Sequence, residues 1–532
     1  MSSKIIVDRD WVTFLKTNKA ELKEYDEKLP ASMRKKDIIK DAQKYQYGSD
    51  VAHIDLHAWN MAERLLHHHY RNIIGTAEVL PPSAALLDFR LTTSSTYQGK
   101  KVGPYKEDLL RELFSAKDTD STVLAQLVEG INKLFELEVT PDNFYQHMLA
   151  TASYDKVVGK DELRGSHKLQ DDGSIATRSF IVPAIDVFIL EKMLLSHQFD
   201  LMIDLSVAKT TGTWEPINVG IPVQHRGYDA IIRRTLTYAS RVSFDTDKHD
   251  GRVRVEHFEM LARFHFALLR PKFRTQAVWN AMLYVYWHAY AAVHILPDGN
   301  LAHRFSGQPS GRFGTLHDNS IITVFNHFYA FCKLYPGIDD VSSMYALIIV
   351  LMYFNSVGDD MHVSHNLSPD QFELYKLAFD DLNFKLTTEP STTFCSSDFS
   401  YDALHDCWYL QHAPDQSLSS MLFQRRNSVM SRYVLQYARV CGHLDLASSS
   451  DIVGSLNGKP VTLFELLSSY LDWLEERTIN GVPFIRTSSF KQYSLSTLRR
   501  TRFELDSLLF ETSGSVILKS GLNNIQQANA SH

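Results

Sequence analysis

Residues 344–366 read MYALIIVLMYFNSVGDDMHVSHN, and the reading of this stretch decides the fold. An uncharged apolar run from Ala346 to Phe354 breaks at Asn355 and Ser356, turns at Gly358, and presents two adjacent carboxylates, Asp359 and Asp360. The run predicts a buried strand, a tight turn that uses the conformational freedom of Gly358, and a returning strand. Two acids at the tip of a buried hairpin are costly unless a positive group sits beside them, and a divalent metal ion fits that need. Gly-Asp-Asp arises by chance in roughly one chain in ten of this length, so the rest of the chain must carry the interpretation.

The 532 residues can bury a large core divided into two to four subdomains. A content of 44% apolar and 22% charged residues is that of a globular protein, with 30 Phe, 24 Tyr and 7 Trp. The net charge of −7 excludes a generally basic nucleic-acid binder, so any RNA contact needs positive charge gathered in a channel. Cys332, Cys395, Cys407 and Cys441 show no C-x-x-C spacing, which argues against a zinc site or disulfide framework and fits a reducing cytosol. The opening MSSKIIVDRDWV is too charged for a signal peptide. The longest apolar runs reach about half the length that crosses a bilayer, so no transmembrane segment is expected. The polar tail 521–532 is expected to be loose.

Residues 1–150 read as mainly helical. His67, His68 and His69 point in different directions on a helix and are not expected to share a metal. The Thr/Ser/Gly/Lys-rich stretch 91–105, with Lys100 and Lys101, reads as a loop able to touch phosphate. In residues 156–191, Lys160, Arg164, Lys168 and Arg178 punctuate a β-ribbon with a turn at Asp171-Asp172-Gly173 and a strand over residues 179–182. Such a ribbon can clamp a triphosphate, and a solvated charged hairpin is the plainer alternative. A strand over residues 238–244 leads into Asp245, Asp247 and Asp250. Helices are expected over residues 255–269 and 275–293. A glycine-rich loop carrying Ser310 and Gly311 precedes a helix that starts near Thr315 and places Thr315 and Asn319 on one face. Residues 369–384 predict a helix with Leu374, Leu377 and Phe384 on its apolar side, and residues 394–411 short strands. From Asp415 onward a helical region is expected, with Arg425, Arg426, Arg432, Arg439, Arg499, Arg500 and Arg502 either solvated or lining a nucleic-acid path.

A basic ribbon, an acid-tipped strand, a Ser-Gly loop with a Thr/Asn helix and a Gly-Asp-Asp hairpin, in this order, resemble the RNA-dependent RNA polymerases of positive-strand, picornavirus-like viruses. The resemblance covers roughly residues 156–415. Asp245 and Asp250 match the family's motif A, and Ser310, Gly311, Thr315 and Asn319 match motif B without a gap. Gly358, Asp359 and Asp360 match motif C, and Lys160 to Arg164, with Lys168 and Arg178, match motif F. Residues 92–95 look like the motif that leads the template in. TRSFIVPAID at 177–186 and WYLQH at 408–412, at the primer-grip position, look closer to potyvirus and astrovirus enzymes. Two departures stand out. Ala176 replaces the lysine that usually precedes Thr177-Arg178, and Lys385 lies several residues early for the lysine proposed to protonate pyrophosphate, so no general acid is assigned.

The resemblance implies an α+β right-hand fold with an antiparallel palm sheet flanked by helices. The expected boundaries are fingers 1–184 and 256–300, palm 185–255 and 301–414, and thumb 415–532. It implies RNA synthesis with two Mg²⁺ or Mn²⁺ ions roughly 3.5–4 Å apart. Asp245 and Asp359 would be the main ligands and Asp360 a support. Lys160, Arg164, Lys168 and Arg178 would neutralise the triphosphate, with Arg164 and Arg178 the direct contacts. Asp250, Ser310, Gly311, Thr315 and Asn319 would form the ribose side of the site. RNA template, nascent strand and ribonucleoside triphosphates are the implied partners, with a protein primer and other viral replication proteins as further candidates, in a replication complex in the host cytoplasm. Three rival readings weigh less. A glycosyltransferase using Asp245-Thr246-Asp247 leaves the Ser310 loop unexplained. A reverse transcriptase does not need Asp250 with Asn319. A non-catalytic virion protein has no use for acids at both strand ends.

Overall fold

The computed structural model describes residues 5–45, 53–87, 122–223, 227–403, 406–425 and 451–476, with short further pieces at 96–97, 100–101, 436, 439–440, 442–444, 447, 478–479 and 482–483. The template-leading loop 92–95, Cys441, the tail 521–532 and the arginines at 426, 432, 499, 500 and 502 lie outside them.

The site is built on a four-stranded antiparallel sheet in the spatial order Met352–Val357, Asp360–His365, Ser240–Thr246, Leu386–Pro390. Along the strand Ser240–Thr246, Val242 and Phe244 are buried and Asp245 is exposed, the alternation that a half-covered strand produces. The covered face packs on the helix Thr315–Leu334, buried from His317 through Cys332, and on aromatic rings of the helix Pro369–Leu377 and the turn behind it, so that Phe244 meets His327, Phe372, Tyr375 and Phe379. The opposite face carries the acids.

The decisive apolar run is not one strand. Val341–Leu351 is a helix, started by Asp340 accepting from the Ser343 N–H at 2.7 Å, and the strand begins at Met352, where the backbone turns extended at φ −140°. A continuous apolar run lacks the period that separates helix from strand. The helix expected over residues 369–384 is also shorter. It spans Pro369–Leu377, and Leu374 and Leu377 face solvent at 60% and 59% exposure, while Tyr375, Phe379 and Phe384 are buried. The inward face is the aromatic one, and Asn383, at φ +62°, ends the turn that buries Phe384. Smaller shifts put the acid-tipped strand at Ser240–Thr246 and the helices at Val255–Leu268 and Gln276–Ala291, the second capped by Thr275.

A second sheet holds the basic ribbon. Asp155–Gly159 pairs antiparallel with Ser179–Val182, and on its other edge runs parallel to Val293–Ile295, which pairs with Leu301–His303. The Gln170 N–H donates to the Ser174 carbonyl at 2.8 Å, closing the expected turn with Gly173 at φ +75°. Leu163–Gly165 pairs with Lys28–Pro30 from the beginning of the chain.

After Asp415 the chain is not simply helical. The helix Pro414–Leu422 leads into strands Phe423–Arg425, Ile452–Leu456 and Lys459–Thr462 before the helix Leu463–Glu476. Ile5–Val7 pairs with Phe423–Arg425, and Glu21–Leu22 with Ile452–Leu456. Trp11 and Phe14 share a separate core with Leu418, Met421, Leu467, Tyr470 and Leu474. The N-terminal residues, expected with the fingers, thus sit in the body formed by the end of the chain. Strands of two or three residues that pair across 400 positions leave no local signal. Arg439 is tied to Asp8 at 2.5 Å, which removes it from the arginines available to a nucleic-acid path. Among the described residues no helix is long and apolar enough to cross a membrane.

Candidate active site

The Gly-Asp-Asp turn is held from below. Val357 pairs with Asp360, leaving Gly358 and Asp359 as a two-residue loop, and Gly358 sits at φ +65°, which a residue with a Cβ avoids. The Gly358 N–H donates to Ser320 Oγ at 2.8 Å, and Thr323 Oγ1 donates to the Gly358 carbonyl at 3.0 Å. Ser320 and Thr323 lie three apart on one face of the buried helix. His249 Nε2 lies 3.3 Å from the same Thr323 hydroxyl. Sequence reading missed all three. Their one signal was the helical spacing that continues past Asn319.

The strand register brings the acids together. Met361 pairs with Phe244, so one step further Asp360 lies across from Asp245 on the same face. Asp245 and Asp359 are exposed. Crowding by the protein, then the charges of Asp359 and Asp245, push the Asp360 carboxyl up to about 6, although the residue keeps an exposed edge. Among the described residues no three His, Cys, Asp or Glu groups are gathered closely enough to hold a metal ion unaided. The donor set is nevertheless all oxygen, mutually repelling and open on one side. That suits a hard divalent ion which takes one or two carboxylates, waters and substrate phosphates. Asp247 does not join the set, because its carboxylate pairs with Arg252 at 3.2 Å.

The raised Asp360 carboxyl makes stability depend on pH. A carboxyl raised in the folded state holds its proton more tightly than in the unfolded chain. In metal-free protein its contribution is therefore lost as pH rises from the ordinary aspartate range through about 6. Thermal unfolding followed between pH 4 and 7 checks it, and Asp360→Asn should flatten that part of the profile.

The ribbon cations divide in role. Burial lowers the Arg178 pKa, but the charges of Glu162, Asp250, Asp359 and Asp41 more than offset it, so this guanidinium lies within electrostatic reach of the turn. Arg164, expected to be a direct substrate contact, donates through Nη1 to the carbonyls of Ala176 and Thr177 at 2.9 and 3.2 Å and ties the two arms together. Lys160 pairs with Glu162 at 2.9 Å, and Lys168 is exposed on a short turn.

The Ser-Gly loop is built against both neighbours. A Cβ on Gly311 would lie 1.6 Å from the Ile181 carbonyl oxygen of the ribbon, and one on Gly307 2.6 Å from the Asp250 carbonyl oxygen. Thr315 Oγ1 donates to the Pro309 carbonyl at 2.7 Å, so this hydroxyl fastens the loop. Ser310 is half-buried beside the Tyr45 phenol. Asn319 Nδ2 donates to Asp250 Oδ1 at 3.4 Å, while Asn319 Oδ1 is buried with no partner among the described residues.

Residues 41–45 are the part of the site that no motif announced. Lys44 is buried, with its Nζ 3.8 Å from Asp250 and 3.5 Å from Asp41. Asp41 Oδ2 accepts the Ser179 N–H and hydroxyl at 2.6 and 2.7 Å. Gly251 leaves room for the Lys44 carbonyl, which a Cβ there would meet at 2.2 Å. The second missed piece is the turn at Cys395 and Ser396, between paired Phe394 and Ser397, where both non-glycine residues hold positive φ of 51° and 58°. The Cys395 thiol bonds to Asp360, and burial followed by the neighbouring acids pushes its pKa up. The stretch expected at the primer-grip position, residues 408–412, lies in the third strand of that small sheet, Cys407–His412. It is the 395–396 turn that reaches the acids. His67 turns toward Phe264, whereas His68 and His69 both meet Tyr345, His69 also reaching the buried Glu215.

Comparison with known proteins gives one direction. The family model for viral RNA-dependent RNA polymerase matches residues 6–440. The chain is 26% identical over 153 residues to the non-structural polyprotein 1AB of mink astrovirus 1, covering 27% of the chain and 11% of the polyprotein. To that of turkey astrovirus 1 it is 31% identical over 127 residues, covering 23% of the chain and 7% of the polyprotein. The chain thus spans about a tenth of the length of these relatives. Its fold is similar to that of the sicinivirus 3Dpol RNA-dependent RNA polymerase, with a TM-score of 0.60 at 16% identity over 84% of this chain and 87% of that one.

Proposed function

The chain belongs to the viral RNA-dependent RNA polymerase family, and from that premise we propose that it transfers nucleotides from ribonucleoside triphosphates to an RNA 3′ end under the direction of a template. The observation that carries the reading is Asp245 across from Asp360, beside the Asp359 turn and within reach of Arg178. Asp245 and Asp359 would hold two Mg²⁺ or Mn²⁺ ions with Asp360 in support. Held there, the ions would supply activation of the 3′ hydroxyl and charge neutralisation of the leaving pyrophosphate. Arg178 neutralises the triphosphate, helped by Lys168 and Lys160, and Arg164 acts by keeping the ribbon closed. Ser320 and Thr323 fix the N–H and the carbonyl of Gly358 respectively, so the Asp359 carboxylate is presented without rearrangement.

On the ribose side, Asn319 Oδ1 is a buried acceptor with no donor among the described residues, and a 2′ hydroxyl supplies one. Asp250 orients the Asn319 amide, Lys44 orients Asp250, and Ser310, Gly311 and Thr315 shape the wall. Loss of that acceptor should weaken discrimination against deoxynucleotides by about 5- to 150-fold, the equivalent of about 1–3 kcal/mol. Competing incorporation of ATP and dATP by Asn319→Ala measures it, and unchanged discrimination removes Asn319 from ribose selection. RNA template and nascent strand would occupy the open acidic face, with fingers, palm and thumb divided near residues 184, 255, 300 and 414. A protein primer, other replication proteins and a cytoplasmic replication complex belong to the same reading. Incubation with a defined template, four ribonucleotides and Mg²⁺ tests it: labelled product complementary to the template is expected, and none across templates and both metals would overturn it.

A further inference from the structure

A buried charged network lies behind the Ser310 loop and takes no part in the chemistry above. Glu191 stands on the helix Ile185–Ala208, His265 on Val255–Leu268, and Asp318 in the first turn of Thr315–Leu334. Gln308 and Arg312 flank Ser310. Glu191, His265, Gln308 and Asp318 are fully buried, and Arg312 nearly so. Arg312 Nη2 lies 2.7 Å from Glu191 Oε1, and Arg312 Nη1 donates to Gln308 Oε1 at 3.2 Å. Gln308 Nε2 donates to Asp318 Oδ2 at 3.3 Å. The two Glu191 oxygens accept the N–H groups of Phe313 and Gly314, each at 3.1 Å. A Cβ on Gly314 would come within 3.0 Å of both acids, which explains a glycine there.

The far end of the network is anchored by a histidine. His265 Nε2 lies 3.1 Å from Asp318 Oδ1, and His265 Nδ1 lies 2.7 Å from Gln198 Oε1. Gln198 Nε2 donates to the Leu194 carbonyl at 2.8 Å, so its oxygen is the atom turned to the histidine. Both ring nitrogens are thus engaged, and the imidazole bridges Asp318 and Gln198. Arg312 and His265 then face two acids, Glu191 and Asp318. Buried ion groups of this kind add little net stability compared with apolar packing, but they hold one arrangement sharply, because breaking any member leaves a charge unpaired in a dry interior.

We propose that this network is a latch that positions the 310–314 loop and Asn319, with His265 as the positioning residue that sets it. Nucleotide binding and ribose selection then depend on a side chain that never touches the substrate. The consequence for nucleotides rests on the polymerase reading, whereas the latch itself does not. Amide hydrogen exchange on the full chain reads the latch directly. The Phe313 and Gly314 amides should exchange as slowly as helix-interior amides in the unaltered protein, and at least roughly tenfold faster in His265→Gln, which lacks the ring that bridges Asp318 and Gln198. In nucleotide incorporation, His265→Gln should raise KM roughly tenfold and reduce ribose discrimination, with kcat within about twofold and RNA binding unchanged. Open-loop exchange of Phe313 and Gly314 in the unaltered protein overturns the latch. So does a folded His265→Gln with exchange, KM and discrimination unchanged. If His265→Gln does not fold, exchange in the unaltered protein decides. If the unaltered protein incorporates no nucleotide, the polymerase reading fails while exchange still judges the latch.

Discussion

Asp359→Asn should reduce template-directed incorporation by at least about a thousandfold, equivalent to about 4 kcal/mol of transition-state stabilisation. The substitution keeps the shape and one oxygen of the side chain but removes the charge. Asp359 is exposed and sits in a turn that is held through the backbone of Gly358. The thermal midpoint should stay near that of the unaltered protein or rise slightly, because removing one of three mutually repelling carboxylates relieves Asp360. RNA binding should also persist. Single-nucleotide extension with Mg²⁺, compared with unfolding and RNA-binding curves on the same sample, separates these effects. Extension at the unaltered rate would remove Asp359 from the chemistry and with it the assignment of the hairpin.

Gly311→Ala should have the largest structural effect of any single methyl added near the site. Its Cβ would lie 1.6 Å from the Ile181 oxygen and 2.7 Å from the carbonyl carbon. The obstacle is backbone in a paired strand, which cannot swing aside as a flexible side chain would. Either the loop or the strand Ser179–Val182 must shift, and that strand follows directly on Arg178. A loss of about 1–3 kcal/mol in stability is expected, and more if the strand unpairs, with extension falling at least roughly a hundredfold. Gly337→Ala is the matched control, since a Cβ there meets nothing within 4 Å among the described residues and the backbone does not require glycine. A Gly311→Ala protein as stable and active as the Gly337→Ala protein would show that the loop does not need this close approach.

The sequence by itself determined the family and the order of its motifs. Short polar signatures sit where the backbone is forced: a glycine with positive φ at 358, a Ser-Gly pair where a strand comes too close for a Cβ, an acid on the open face of an alternating strand. Such constraints are local, so residue type and spacing reveal them. Tertiary structure alone decided three other matters. It divided the apolar run before Gly358 into helix and strand, because an unbroken run of apolar residues carries no period that tells them apart, even where Ala346 and Val350 of the helix face solvent. It recruited Asp41, Lys44 and Tyr45, more than 200 residues from the acids they support, and it built residues 5–22 into the body at the other end of the chain. It also separated four similar cations by what each one reaches, sending Arg164 to carbonyls and Arg178 toward the acids. Contacts between distant segments are chosen by shape and by the pairing of buried charges, and neither is written in the neighbours of a residue along the chain.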